Sequence, residues 1–335
     1  MNEGSEGMHT NDAAWTSELL NTPHDAPDKA GRVRQMFNAI APHYELVNSL
    51  FSGGRDGAWR REAVRLSGVR PGDDVLDIAC GTGDFTRSFA KSGARSVTGC
   101  DFAHEMLIRA ADVGGCLVSE SRVRGACSNS ERGESARAKA SGSEKQGGEC
   151  TTQDEGGTSG NLYHTESNST RLNEGESNGG GSDNRGSSGT ELGQRTRHKT
   201  TWCEADALKL PFASDSFSIV SCAFGVRNFD DLDGGLSEMR RVLRPGGRVV
   251  ILEFTRPKNL TVRRLYEFYA NRIMPAAATL VSGDRSGAYR YLPRSVVSFL
   301  TAEQMLERLG CVGFRDCTAT ALTLGVVTVY VATRS

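Results

Sequence analysis

The stretch Val75–Phe85, VLDIACGTGDF, constrains this chain more than any other. Apolar, β-prone residues run straight into Gly81 and Gly83, and a helical pattern follows. A strand, a tight glycine turn and a helix in that order bring the backbone close to a ligand, as in many nucleotide-binding α/β folds. The dinucleotide fingerprint G-x-G-x-x-G needs a third glycine where Thr86 stands, so a nicotinamide or flavin site fits incompletely. Asp101 ends the next strand, about 20 residues past the turn, where an acid can hold a pair of ribose hydroxyls. That acid suits any ribose ligand and so indicates a nucleoside without naming it. The plainer reading, a tight turn followed by a helix-capping Asp, leaves the joint spacing of turn and acid unexplained.

The surrounding sequence alternates strand and helix patterns. Two amphipathic stretches, RVRQMFNAIAPHYELVNSLF and GAWRREAVRLSG, precede DDVLDIA, a buried strand. Then come helix GDFTRSFAKSG, strand SVTGCD, helix AHEMLIRAADVG and strands TTWCEAD and FSIVSCAF. Helix LDGGLSEMRRVL, the turn RPGG and strand RVVILEF follow, and FRDCTATAL and VVTVYVAT are two final strands. This order predicts an α/β fold with a mostly parallel seven-stranded sheet and helices on both faces.

Two segments break the alternation. Residues 1–30 are polar and read as a flexible N-terminal tail. Residues 115–199 are rich in Gly, Ser, Glu and Asn and hold a large share of the 39 glycines of the 335-residue chain. Such a composition buries too little apolar surface to offset its ordering entropy, so 115–199 reads as a disordered low-complexity insertion. It falls between a helix and a strand, where added loop length costs little. The remainder, 31–114 with 200–335, is a single domain.

Charge and cysteine usage narrow the class. A net charge of −1 argues against a mainly electrostatic nucleic-acid binder. Nine cysteines without a C-x-x-C pair speak against a zinc cluster, and no metal is expected. An odd count without a signal sequence suits a reducing, cytoplasmic setting.

Two further motifs sharpen the ligand. EADALKLPFASDSFSIV puts Asp206 at a strand end, and RVLRPGGRVVILEF sets a Pro-Gly-Gly turn before a strand. Together with DIACGTGD they resemble the class I S-adenosylmethionine-dependent methyltransferases, Rossmann-like α/β proteins. The resemblance implies that Asp77, Gly81, Thr82 and Gly83 line the cofactor loop, that Asp101 binds the ribose and that Asp206 and Ala207 read the adenine edge. A sulfonium and a zwitterionic amino acid call for carboxylates near the cation, which these motifs carry.

More specific still are MFNAIAPHYELVNSLFSGGRDGAWRR, CAFGVRNFDD, LEFTRP and AYRYLPRSV. They resemble the demethylmenaquinone methyltransferase / 2-methoxy-6-polyprenyl-1,4-benzoquinol methylase family over residues 31–114 and 200–333. The resemblance implies C-methylation of a prenylated quinol in menaquinone or ubiquinone biosynthesis. Asp56–Gly57 replaces the usual His–Arg, Leu324 stands where glycine is common, and the insertion is not a usual family feature. Such chemistry needs phenolate stabilisation, proton routes and alignment of ring with methyl. Arg227, Asn228 and Tyr44 are the candidate catalytic residues, and His43, Tyr289 and Tyr291 the candidate substrate contacts. Each has a plainer reading: Arg227 as a salt-bridge partner, His43 as a surface histidine, the tyrosines as core or wall, and Glu253 as a strand cap. Cys80 reads as a small packing residue. TVRRLYEFYANRIMPAAATLVS reads as a substrate cap, an ordinary cover helix or a transient membrane-surface contact, which would put the protein at the inner face of the membrane. A methyltransferase for another small acceptor and a non-catalytic S-adenosylmethionine-binding assembly protein are the alternative functions. The sequence is compatible with a homodimer but does not fix the oligomeric state.

Overall fold

The computed structural model describes residues 15–113, 161–166, 199–273 and 287–335. Three N-terminal helices, α1 (Lys29–Ile40), α2 (Tyr44–Ser52) and α3 (Asp56–Ser67), lead into the alternating part. There follow β1 (Asp74–Ile78), α4 (Asp84–Lys91), β2 (Ser96–Asp101), α5 (His104–Val113), β3 (Asn161–Glu166), β4 (Lys199–Glu204) and β5 (Phe217–Ala223). The chain continues with α6 (Leu232–Val242), β6 (Leu243–Phe254), α7 (Leu260–Phe268), α8 (Ala288–Val297), α9 (Ala302–Cys311), β7 (Phe314–Leu322) and β8 (Val327–Arg334).

The strands form one sheet in the order β3-β4-β2-β1-β5-β6-β8-β7. From β4 to β6 every neighbouring pair is parallel, whereas β8 runs antiparallel between β6 and β7. All five residues of β1 are buried, as expected of a central parallel strand covered on both faces. The core is correspondingly split. Phe85, Phe89, Val97 and Ile219 belong to the cluster on one face, and Leu76, Val220, Leu236 and Met239 to the cluster on the other. The register Asp77↔Gly99 and Asp77↔Ser221 sets the ends of β1, β2 and β5 side by side, so their loops share one edge.

Two readings change. Within 115–199, residues 161–166 form an edge strand antiparallel to β4; the rest of that reading lies outside the described residues. NLYHTE is locally β-prone even though its flanks are polar, and composition averaged over a long window conceals it. The tail reading fails from residue 15 onward. Trp15 is 1% exposed and Leu20 6%, and the Trp15 ring stacks on Tyr291 with centroids 4.1 Å apart. Two large anchors suffice to dock a segment that is otherwise rich in polar and turn residues.

Candidate active site

Two adjoining cavities open where β1, β2 and β5 end, the edge at which open α/β sheets hold ligands. The larger spans about 930 Å³ and the smaller about 270 Å³, both volumes including space open to solvent; Tyr44, Ala79 and Ala223 border both. Ala79 (φ 52°) and Phe224 (φ 58°) take the left-handed conformation in the wall of the larger cavity, strain of a kind that gathers at ligand sites.

Gly81 and Asp101 fix each other. The Gly81 N–H donates to Asp101 Oδ2 at 2.8 Å, and the Ala103 N–H donates to Oδ1 at 2.9 Å. Both residues line the larger cavity. The Phe102 N–H also acts on this carboxylate, and its remaining lone pair can accept a ribose hydroxyl. Burial pushes Asp101 up to about 6 against the pull of those backbone hydrogen bonds. Across the cavity lie Asp206 and Ala207; Asp206 Oδ1 accepts the Leu208 N–H at 2.9 Å, which tightens that turn. Phe37, Phe102, Met106 and Phe229 supply apolar wall of the kind a flat ring packs against.

Asp77 and Thr82 border the smaller cavity. Asp77 is wholly buried and accepts the Thr86 hydroxyl at 2.7 Å and the Ser221 hydroxyl at 2.9 Å. Burial raises its carboxyl to about 7, although both hydroxyls favour the charged form. Thr86, at the site of the missing third glycine, thus serves the acid of β1. Gly83 borders neither cavity. It precedes α4 with φ 85°, and a Cβ there would stand 2.4 Å from the Trp202 ring, so it permits helix and strand to pack closely.

Asn228 lines the larger cavity from the 3₁₀ turn Val226–Asn228. Its Oδ1 accepts the Tyr291 hydroxyl at 3.0 Å. Tyr291 is thus a support behind the wall and not part of it. Tyr44 borders both cavities; burial raises its phenol, and Arg60 and Arg227 oppose that shift. Arg227 departs from the expected role. It is 5% exposed, absent from both walls, and donates to Glu253 at 2.6 Å and to the Phe224 carbonyl at 2.5 Å. A long cation following a buried strand finds the acid of β6 before it finds solvent or ligand. His43 is exposed on its 3₁₀ turn and borders neither cavity, because the turn presents it outward. Tyr289 is buried in the core on α8, outside both walls.

Sequence reasoning missed Arg60 and Asp84 in the smaller cavity and Asp230 in the larger. RNFDD offered a signal for Asp230. Arg60 had none, since one arginine in an arginine-rich helix does not stand out.

The strand order, the glycine loop and the acid that closes on it define a Rossmann-like class I methyltransferase domain. The model of the ubiE/COQ5 methyltransferase family matches residues 26–132 and 186–334, and the chain belongs to that family. The residues between those two matched blocks lie inside the insertion. The chain is 32% identical to the ubiquinone/menaquinone biosynthesis C-methyltransferase UbiE of Geobacter sulfurreducens, over 92% of this chain and 91% of that protein. It is 31% identical to the demethylmenaquinone methyltransferase of Porphyromonas gingivalis, over 92% of this chain and 96% of that one. The demethylmenaquinone methyltransferase of Deinococcus radiodurans is also 31% identical, with coverage of 92% and 94%. A solved SAM-dependent methyltransferase of Thermotoga maritima aligns over 90% of this chain and 99% of its own at 12% identity and a TM-score of 0.47, too distant to bear on function.

Proposed function

We propose that this chain binds S-adenosylmethionine in the two cavities and methylates a ring carbon of a reduced, prenylated quinone, demethylmenaquinol being the acceptor favoured by its relatives' names. The observation that carries the reading is the meeting of Asp101, a ribose acid, with Asn228 and Tyr44 around one largely apolar cavity. S-adenosylmethionine supplies an electrophilic methyl group on a sulfonium sulfur. Asp101 and Asp206 would hold the nucleoside, and Asp77, in its ionised form, would set a negative charge behind the loop on the sulfonium side.

The acceptor carbon becomes nucleophilic when the neighbouring hydroxyl loses its proton, and it must shed its own proton after transfer. Asn228, held by Tyr291, orients that hydroxyl. Tyr44 closes the cavity against water from α2. Asp230, a wall carboxylate near the Lys29 charge, accepts the hydroxyl proton and returns it to the same oxygen when the ring carbon releases its own proton to solvent. Arg227 acts as a positioning residue: it fixes the Phe224 carbonyl and the turn that carries Asn228.

A prenyl tail also needs access to a bilayer. No helix among the described residues is long and apolar enough to cross a membrane. On and just after α7, Leu265 (66% exposed), Phe268 (61%) and Ile273 (48%) face outward beside Arg264 and Arg272. This supports peripheral contact of a cytoplasmic protein with an anionic membrane surface; residues 274–282 of the expected cap lie outside the described residues. Sedimentation with phosphatidylglycerol vesicles tests the contact, and Phe268→Asp should abolish it. The catalytic reading is tested by methyl transfer to demethylmenaquinol and to the matching quinone. Turnover on the quinol alone is expected, and equal turnover on both contradicts it.

A further inference from the structure

Residues 15–29 pass along α8 and hold the turn after β5 from outside the sheet. The Trp15 ring stacks on Tyr291 with centroids 4.1 Å apart, and the Tyr291 hydroxyl donates to Asn228 Oδ1 at 3.0 Å. His24 Nε2 donates to the Ser295 carbonyl at 3.0 Å, and Arg227 Nε donates to the Ser295 hydroxyl at 3.3 Å. Lys29, 4% exposed, donates from Nζ to the Phe229 carbonyl at 2.5 Å. Trp15, His24 and Lys29 thus reach, directly or through α8, the successive residues Arg227, Asn228 and Phe229. Asn228 and Phe229 line the larger cavity, whereas Trp15, His24 and Lys29 border neither cavity.

Asn228 lies beyond the strand ladder, since β5 ends at Ala223 and α6 begins at Leu232. The direction of its amide is therefore set by what packs on it. Nδ2 donates to the Phe224 carbonyl at 3.4 Å, and the Tyr291 hydroxyl fills the oxygen end. A tyrosine hydroxyl swings with its ring. The stack with Trp15, at an interplanar angle of 29°, fixes the plane of that ring and so the line of the hydrogen bond. Trp15 is itself clamped: it is 1% exposed, and a Cβ on Gly287 would stand 3.0 Å from its carbonyl oxygen. His24 and Lys29 anchor the same segment further along. A displacement of about 1 Å at a group that orients an acceptor can cost about 100-fold in rate, so a remote ring with this reach bears on turnover.

We infer that Trp15 is a positioning residue of the acceptor site, acting through Tyr291 to orient the Asn228 amide; this rests on the role given to Asn228 above. The test is methyl transfer to demethylmenaquinol by the full chain, by Trp15→Leu, by Asn228→Ala and by the two combined. Trp15→Leu should lower kcat by about 10-fold or more and leave KM for S-adenosylmethionine within about two-fold, since Trp15 touches neither cavity. In the Asn228→Ala chain the same substitution should change kcat by less than about two-fold, because the group it places is gone. Trp15→Phe, which keeps an aromatic face over Tyr291, should recover kcat to within about three-fold of the unaltered chain. Equal factors in both backgrounds mark Trp15 as merely structural and overturn the inference, as does unchanged kcat in Trp15→Leu. If Trp15→Leu does not fold, Trp15→Phe carries the same cycle: a fall of about three-fold that disappears beside Asn228→Ala supports the inference, and no fall or equal factors overturn it. Full turnover in Asn228→Ala alone overturns the acceptor role of Asn228 itself, and the inference with it.

Discussion

The guanidinium of Arg227 lies 2.6 Å from the carboxylate of Glu253, both side chains almost wholly buried behind the wall that Asn228 presents to the cavity. The pair joins the turn after β5 to β6, so Asn228 stands on a braced turn. Its chemistry is that of an internal strut.

Breaking such a pair leaves one charge buried without its partner, at a cost of about 3–5 kcal/mol. Arg227→Ala should therefore lower stability in urea unfolding by that amount and reduce turnover with it. Arg227→Met combined with Glu253→Leu should recover most of the stability, since neither charge is then stranded. Full stability in Arg227→Ala with loss of turnover alone would return the residue to a direct role on the acceptor.

The two buried acids give an unusual pH response. Asp77 titrates at about 7 and Asp101 at about 6 in the folded chain, both above the unfolded value of about 3.9. Between about pH 4 and 7 these two groups therefore bind more protons in the folded chain than in the unfolded one, and their contribution to stability falls as pH rises through that window. Unfolding at pH 4.5, 6 and 7.5 checks the direction. Asp77→Asn should flatten the slope, and stability rising steadily over the window would contradict the account. Ligand affinity should move the other way, weakening as Asp101 protonates below about pH 6.

The two loop glycines should fail differently. An alanine Cβ at Gly83 would stand 2.4 Å from the Trp202 ring, whereas at Gly81 it would meet the Tyr44 ring at 3.2 Å. Gly83→Ala should lower stability by about 2 kcal/mol or more from strain and overpacking. Gly81→Ala should weaken nucleoside binding at a smaller cost to stability. Calorimetric titration beside thermal unfolding separates the two, and identical profiles would show that the glycines share one role.

Leu324 adopts φ 57° and is 78% exposed. The left-handed conformation costs a non-glycine residue about 1–2 kcal/mol, and glycine returns about 0.5–1 of that through its unfolded-state entropy. Leu324→Gly should therefore stabilise the protein by up to about 1 kcal/mol, read from the urea midpoint. Destabilisation would mean that the leucine packs in a way its exposure conceals.

The sheet was legible because each strand carries its own signal. The buried run of β1, the alternation of helices and the acid at the end of β2 act locally, and the order of elements does the rest. The cofactor-side residues were legible for the same reason: Gly81, Asp101 and Asp206 follow strand ends. What escaped depends on long-range packing. Trp15 reaches Tyr291 across most of the chain, and Arg227 meets Glu253 from the next strand. Nothing near Arg227 in sequence distinguishes an arginine aimed at a ligand from one aimed at a buried acid. Arg60 and Asp230 gain meaning only when the helices before β1 and the turn after β5 close over the same edge.

The measurement that bears most directly on the account is the position of a labelled methyl group after turnover. Carbon-13 methyl S-adenosylmethionine and demethylmenaquinol are incubated with the full chain, and the product is examined by nuclear magnetic resonance. The account predicts the label on the ring carbon beside a hydroxyl, with turnover strongly reduced in Asp230→Asn, about 10²-fold or more for the loss of a general base. Label on oxygen, or no transfer by a protein that binds S-adenosylmethionine, would contradict it.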